Sequence, residues 1–500
     1  MLENSSIYLL RPEVFQPEMV PAAKKLLRES RVLNNNLITR DQRCPRLAMA
    51  APSTRPGQSP CEAGGTKGRA PMNRFTSKLI ALFILVFAVA PPPTRADVTA
   101  GETITKESVA KIDNIAAEGV KWSVANGMEM KIVPYEKIPM PKAYLDATEK
   151  YGGQTTLGPR NELQNWVAGK PFTTIDNNDP KAPVKIMYNF QDTHYFTDDL
   201  ALHLVDADTG GLYIDAKGNR HYQVERHFVA DWLRVMQFQG RLHHAPMPEF
   251  TNNADAVFRK SGLYPLIEPF DLKGVGGISF RYLDLLRQDD TWLYLPMLRR
   301  VRRMSSAQRS DALFGQDIDV DSYGGYAGQI PWFDWKLLGE KPMLASLHGQ
   351  NLPPIPCTTD GGMTFCEHWE LRPSVYVIEG KPKVPHYAYS KRIVYVDKET
   401  NFVIYSDMYD QSGELWKVVM QSIRTSKRPN PKVNYEYDEP RMFIYAFTVV
   451  DMQLMHGTRA AIPGIAFPDE AGWYIDIGFD EPQSADENWF SIGGLVAGGR

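Results

Sequence analysis

Residues 291–323 read TWLYLPMLRRVRRMSSAQRSDALFGQDIDVDSY. Trp292, Leu293, Tyr294 and Leu295 predict a strand, because aromatic and aliphatic side chains suit a pleated, half-buried surface. Pro296 ends it, since proline donates nothing to a ladder. A basic run follows, Arg299, Arg300, Arg302 and Arg303, with Met297, Leu298, Val301 and Met304 threaded through it. Such a segment lays apolar side chains inward while guanidinium groups stay wet, their stems covering apolar surface. A polar turn, Ser305 to Ser310, leads to Phe314-Gly315 and then to Asp317, Asp319 and Asp321 at alternate positions. The alternation predicts a strand with its acids on one wet face; in the alternative, the acids pair with the arginines just upstream and fix two neighbouring strands.

Short aromatic or β-branched runs recur on both sides of this stretch. Strands are expected at residues 184–190, 200–205, 211–215, 222–229, 232–238, 278–286, 374–378, 392–396, 402–408 and 415–421. Turn residues bound them, as in AKGN at Ala216–Asn219 and DKETN at Asp397–Asn401. No helix–strand alternation of a parallel α/β fold is visible, so a large antiparallel sheet curled over helices is the expected architecture. Helices are expected at Glu107–Val120, where Val109, Ile112, Ala116 and Val120 recur at helical spacing with Thr105 as N-cap, and at Lys142–Tyr151, stopped by Gly152-Gly153. The organisation read from the chain is a non-native or disordered extension over 1–71, a signal peptide over 72–96, a helical extension over 97–160, the β domain over 161–428 and a loop-rich C-terminal region over 429–500.

The export signal rests on three features. Arg74 and Lys78 form a positive n-region, Leu79–Ala90 an apolar h-region, and Thr94-Arg95-Ala96 places small residues where a signal peptidase reads them. The apolar run is shorter than the ~20 residues that span a bilayer. Of the chain's 56 Lys or Arg and 59 Asp or Glu, residues 1–96 hold 14 and 6, so residues 97–500 carry 42 bases against 53 acids, a formal net of −11. An exported, acidic chain argues against nucleic acid as a partner. The predicted location is the periplasm, in soluble form or peripheral to the outer membrane.

Cys357 and Cys366 are the two cysteines after the leader, on either side of TTDGGMTF, and an oxidising compartment favours a disulfide closing a hairpin-like loop. Catalytic motifs are not found: no GxSxG, HExxH, Walker A loop, GxGxxG after a strand or paired CxxC occurs after the leader. A calcium loop opening at Asp317 fails at its sixth position, Ser322, and its twelfth, Gly328. No cofactor or metal is expected. Of ten histidines, only His243-His244 are adjacent, and sites such as His227, His368 and His386 read as structural hydrogen-bonding groups. Glu367, Glu370 and Asp407 near aromatics could form a glycosidase-like pair, although sequence does not fix the carboxylate separation. Large aromatic side chains, including Trp332, Phe333, Trp335, Trp369, Tyr405 and Trp416, fill a core individually and suit an apolar cavity collectively.

The order of aromatic strand, YLP, basic run, SSxxR, FGxD and acidic alternation resembles outer-membrane lipoprotein-sorting-like proteins, relatives of the LolA and LolB carriers. From Trp166 to Val418 the chain resembles the large periplasmic proteins grouped as domain of unknown function 1329 (DUF1329). The motifs that carry this are WVAGKPFTTIDNNDP at Trp166–Pro180 and SKRIVYVDKETNFVIYSDMYDQSGELWKV at Ser390–Val418. The resemblance implies a half-open antiparallel β-barrel with covering helices, sheltering acyl chains or another hydrophobic molecule. It further implies work beside an RND/MMPL-type exporter and an outer-membrane porin-like protein, and no enzymatic activity. The expected ligand-facing residues are Trp292, Tyr294, Leu298, Arg299, Arg300, Arg302, Arg303, Phe314 and Asp317, with the arginines meeting a carboxylate or phosphate head group. The alternatives are a periplasmic enzyme on a hydrophobic or glycan substrate, with Asp317, Asp319, His368 and Glu370 as its first candidates, and an outer-membrane pore, against which the Arg, Asp and Pro interruptions of the strands count.

Overall fold

Strands dominate the computed structural model, which describes residues 98–191, 197–305, 309–427, 439–470, 472–477 and 486–499. The expectations for the extension and the leader lie outside these residues. In chain order the elements are β1 (Thr103–Ile104), α1 (Glu118–Ala125), β2 (Met130–Val133), α2 (Lys142–Tyr151), β3 (Thr156–Leu157), β4 (Leu163–Gln164) and α3 (Ala182–Gln191). A long run of strands follows: β5 (Asp199–Ile214), β6 (Arg220–Gln237), β7 (Val257–Leu263), β8 (Leu266–Glu268), β9 (Gly276–Tyr282), β10 (Asp290–Leu295) and β11 (Arg300–Arg303). The chain continues through β12 (Phe333–Ala345), β13 (His368–Pro382), β14 (Lys391–Asp397), β15 (Val403–Tyr409), β16 (Leu415–Ser426), β17 (Arg441–Asp451), β18 (His456–Ala461), β19 (Trp473–Ile475) and α4 (Ile492–Gly498).

One antiparallel path runs β12-β13-β14-β15-β16-β17-β18-β5-β6-β7-β9-β10-β11. The long β5–β6 hairpin is its centre, β19 extends β18 along β5, and β2 joins β13 in parallel. The sheet is curled and not closed, and β12 and β11 each pair with a single strand among the described residues.

Both faces of this sheet are covered, which is why its central strands read as nearly continuous apolar runs rather than strict alternations. In β14, Ile393 and Tyr395 join one apolar cluster, while Val394 and Val396 join another. The first cluster packs under α1 and its neighbours, with Ile104, Ile112, Val120 and Met130 against Leu202, Trp369, Tyr405, Met420 and Ile444. The second packs under α3 and the 309–332 segment, with Ile186, Met187, Ile318, Tyr326 and Trp332 against Ile378, Val403 and Val449. Burying each such large side chain contributes about 1.5–3 kcal/mol.

Three expectations are corrected. Residues 184–190 are not a strand: Val184–Phe190 lies inside α3, whose Val184, Ile186, Met187 and Tyr188 are buried in the second apolar cluster. A short run of Val, Ile, Tyr and Phe is ambiguous, and burial on all sides selects the helix. Residues 107–120 form no single helix: a 3₁₀ turn at Val109–Ile112 is followed by a turn at Asp113–Ile115 before α1 begins. Thr105 caps nothing; instead the Asp407 carboxylate, from β15, accepts from the backbone N–H of Glu118 and Gly119 at 3.1 and 3.2 Å. Gly119 is required there, because a Cβ would sit 2.3 Å from Val418 Cβ. The described residues after 429 do not form a separate loop-rich region, since β17, β18 and β19 belong to the main sheet and β17 bridges β16 and β18.

Cys357 and Cys366 are joined by a disulfide, with Cα atoms 4.8 Å apart, beside a bridge between Pro356 and Phe365. Breaking it in Cys357→Ser is expected to lower the free energy of unfolding by about 2 kcal/mol, since the cross-link closes only a short loop in the unfolded chain. The urea midpoint checks this.

Candidate functional site

The 291–323 stretch is split into two environments. Its first half is a hairpin in which β10 and β11 pair in the register Trp292↔Arg303, Leu293↔Arg302, Tyr294↔Val301 and Leu295↔Arg300. The turn between them is 3₁₀ over Pro296–Leu298, and Arg299 sits at φ 50°, a left-handed conformation that brings the chain back sharply. Trp292 and Tyr294 face a small cluster with Tyr264, Ile278 and Leu495 of α4; Phe280 meets the Trp292 ring edge-on at 5.0 Å. Leu298, Arg299, Arg300, Arg302 and Arg303 are exposed, and Arg303 pairs with Asp290. Charge along an open edge discourages the addition of a further strand.

The second half is buried polar structure. Phe314 stays exposed on a turn, but Asp317 is buried; His456 Nδ1 lies 2.9 Å from both its oxygens, and the Thr458 hydroxyl donates to it at 2.8 Å. Residues 317–321 therefore do not form a strand with a wet acidic face. Asp319 accepts from the hydroxyls of Ser322 and Tyr389 at 2.7 and 2.6 Å and precedes a 3₁₀ segment, Val320–Gly325. Asp321, fully buried, accepts from Arg309 Nε at 2.7 Å and from the Tyr387 hydroxyl at 2.9 Å. Arg309 continues to Asp289 at 3.0 Å, and Asp289 also accepts from Arg281 at 2.8 Å. Arg392 lies fully buried beside them, its guanidinium over the rings of Tyr326, Phe333 and Tyr389. Of the three acids, Asp321 pairs with an upstream arginine, and it is Arg309 rather than the 299–303 run.

Electrostatics follow this geometry. Burial pushes the Asp319 carboxyl above its usual range. Burial also opposes ionisation of Asp289, yet Arg281 and Arg309 outweigh it and hold that carboxyl at about 2. The hydrogen bond to Asp317 raises the His456 imidazole. These groups clamp the 309–325 segment onto the sheet; the carboxylates meet partners within the protein, while Arg392 Nε is buried without a hydrogen-bond partner.

The other suspected acids are engaged separately. Glu370 meets His348 Nδ1 at 3.0 Å and Arg372 at 2.9 Å, and Asp407 caps α1. Glu367 is buried beside the Tyr445 hydroxyl, and burial outweighs that contact and pushes its carboxyl up to about 7. A group missed in the sequence is Asp206, Asp208 and His227, whose ligand atoms lie within 4.8 Å of one another. Asp208 is bonded to His227 at 2.9 Å and to Arg459 at 2.9 Å, and a guanidinium at that distance competes with any cation. Its residues come from two adjacent strands of one hairpin, a proximity that spacing alone does not reveal.

Among the described residues no helix is long and apolar enough to cross a membrane. Three solved structures are similar. A protein described as an outer membrane lipoprotein-sorting domain, from Vibrio parahaemolyticus, is 15% identical and aligns over 64% of this chain and 100% of its own, with a TM-score of 0.40. A DUF1329 family protein from Desulfovibrio piger ATCC 29098 is 16% identical over 64% and 100%, with a TM-score of 0.39. A LolA superfamily protein from Nitrosomonas europaea is 12% identical over 61% and 97%, with a TM-score of 0.32. No curated protein matches the sequence. The family model described as "Protein of unknown function (DUF1329)" matches residues 103–466, well over half of the chain, and the protein belongs to that family.

Proposed function

We propose that this protein is a periplasmic carrier or binding protein for a lipid or another hydrophobic molecule, held against the apolar sheet face beneath α1. The observation that carries the reading is the make-up of that face. It is a continuous apolar cluster spanning β5 to β19, and within it Trp369 Nε1 and the Tyr405 hydroxyl are buried with no hydrogen-bond partner, their rings stacked at 6.2 Å. Sites for hydrophobic ligands combine an apolar wall with a few orienting polar groups. A buried donor left unmet costs about 1–3 kcal/mol, which a ligand oxygen seated between these rings relieves.

The covering helix suits the role. α1 is fastened at its N-terminus by the Asp407 carboxylate of β15 and along its inner face by Val120 and Val124 in the apolar cluster. The resemblance of the sequence motifs to LolA and LolB carriers points the same way, with affinity supplied at about 0.8 kcal/mol per buried methylene. An RND/MMPL-type exporter and an outer-membrane porin-like protein are the partners such a carrier would serve. In this reading Trp292 and Tyr294 hold the hairpin rather than the ligand, and the arginines act outside the apolar face.

Native mass spectrometry of the protein purified from the periplasm, followed by organic extraction, tests the reading. A stoichiometric apolar compound is expected. A protein that stays empty after incubation with envelope lipids would rule the carrier out.

A further inference from the structure

We propose that the end of the sheet where the 3₁₀ turns Phe270–Leu272 and Pro296–Leu298 meet docks on a bilayer surface containing anionic phospholipid. Phe270 is 91% exposed and Met297 88%, values that put nearly whole apolar side chains in water, and Leu298 is half-exposed beside them. The two turns are neighbours. A Cβ on Gly274, just after the first, would lie 3.1 Å from Pro296 Cγ in the second, and Leu272 and Leu295 pack in one apolar cluster.

The charge around these tips has one dominant sign. Lys273, Arg299, Arg300, Arg302 and Arg303 are exposed on or near them, against an exposed Glu268 and Asp271, the latter paired with Arg226 at 2.6 Å. Apolar tips ringed by cations fit an interface in which side chains enter the acyl boundary and guanidinium groups meet phosphates. A protein partner fits less well. Two turns of three residues form a small convex point, whereas a specific interface covers ~800 Å² per partner. The charged edge of β11 beside the point also resists strand addition. The proposal stands on this end of the sheet alone and does not require the carried ligand.

Vesicle flotation tests it directly. The purified protein is mixed with vesicles of phosphatidylcholine alone, or with about one third phosphatidylglycerol, at low and high salt. Expected are flotation with the anionic vesicles, loss of that binding at high salt, and weakening on the order of tenfold in Phe270→Ser/Met297→Ser. Arg299→Glu/Arg300→Glu should abolish the preference for anionic lipid. These side chains are outside the core, so thermal unfolding should match the parent protein. No flotation with anionic vesicles, or equal binding by the Ser variant, overturns the proposal. So does retention on native envelope membranes that disappears once membrane proteins are shaved off by protease, which would put an acidic protein at this point instead. An empty protein in the extraction experiment would leave flotation unchanged, so failure of the two readings is distinguishable.

Discussion

Arg309→Met is expected to lower the free energy of unfolding by about 3–5 kcal/mol, the range for removing one partner from a buried ion pair. Arg309 is 8% exposed and bridges Asp321 and Asp289. Without it Asp289 keeps Arg281, but the Asp321 carboxylate, at 0% exposure, is left with the Tyr387 hydroxyl. A carboxylate in that position must either stay charged in a poor dielectric or take up a proton, and both outcomes are costly. Arg309→Lys should fall between the parent and the Met variant, because an ammonium restores charge but not the fork that reaches two carboxylates. Removing the exposed Arg303 from its pair with Asp290 should change stability by under ~1 kcal/mol. Urea unfolding of the three variants reads the series. If Arg309→Met came within about 1 kcal/mol of the parent, the clamp would have no energetic weight.

That clamp is also where the sequence stopped being legible. Alternating Asp317, Asp319 and Asp321 have the period of a half-wet strand, and period alone cannot say whether a covering segment meets the acids. Their partners Arg392, Tyr387, Tyr389 and His456 lie 66 to 139 positions away along the chain, beyond any local pattern. β10 was legible because its signals are local, an aromatic run and a proline break, whereas the basic run gave no sign that Arg300–Arg303 would return as its partner strand. α2 was legible too, bounded as expected at Lys142–Tyr151. The strand error at 184–190 was avoidable, since Pro180 and Pro183, together with Asp179, whose carboxylate accepts from the Lys181 N–H, mark a helix start. β17 was missed for a different reason: RMFIYAFTVVD is apolar on both faces, as a strand covered on two sides must be, and lacks the alternation sought.

Raising the pH from about 5.5 to about 8 is expected to destabilise the protein, and Glu367→Gln should remove much of the loss. Glu367 is 1% exposed, and burial outweighs the Tyr445 hydroxyl beside it and pushes its carboxyl from 4.5 up to about 7. Between those values the folded chain keeps the proton that the unfolded chain has released, so the folded state binds more protons and its stability falls as pH rises. The contribution is fully present below the unfolded value and lost on passing about 7. Asp407, which burial likewise pushes to about 7, and His456, raised by Asp317, act in the same sense. Asp289, held at about 2, acts oppositely, but its contribution is lost only well below the range compared. A shift of this size corresponds to roughly 3 kcal/mol. Glutamine carries no charge to bury, so relative to the parent Glu367→Gln should gain about 2 kcal/mol between the lower and the higher pH, roughly 1 kcal/mol of the effect being already present at the lower. A variant equally destabilised at both pH values would instead mean that Glu367 is ionised and paired in the folded protein.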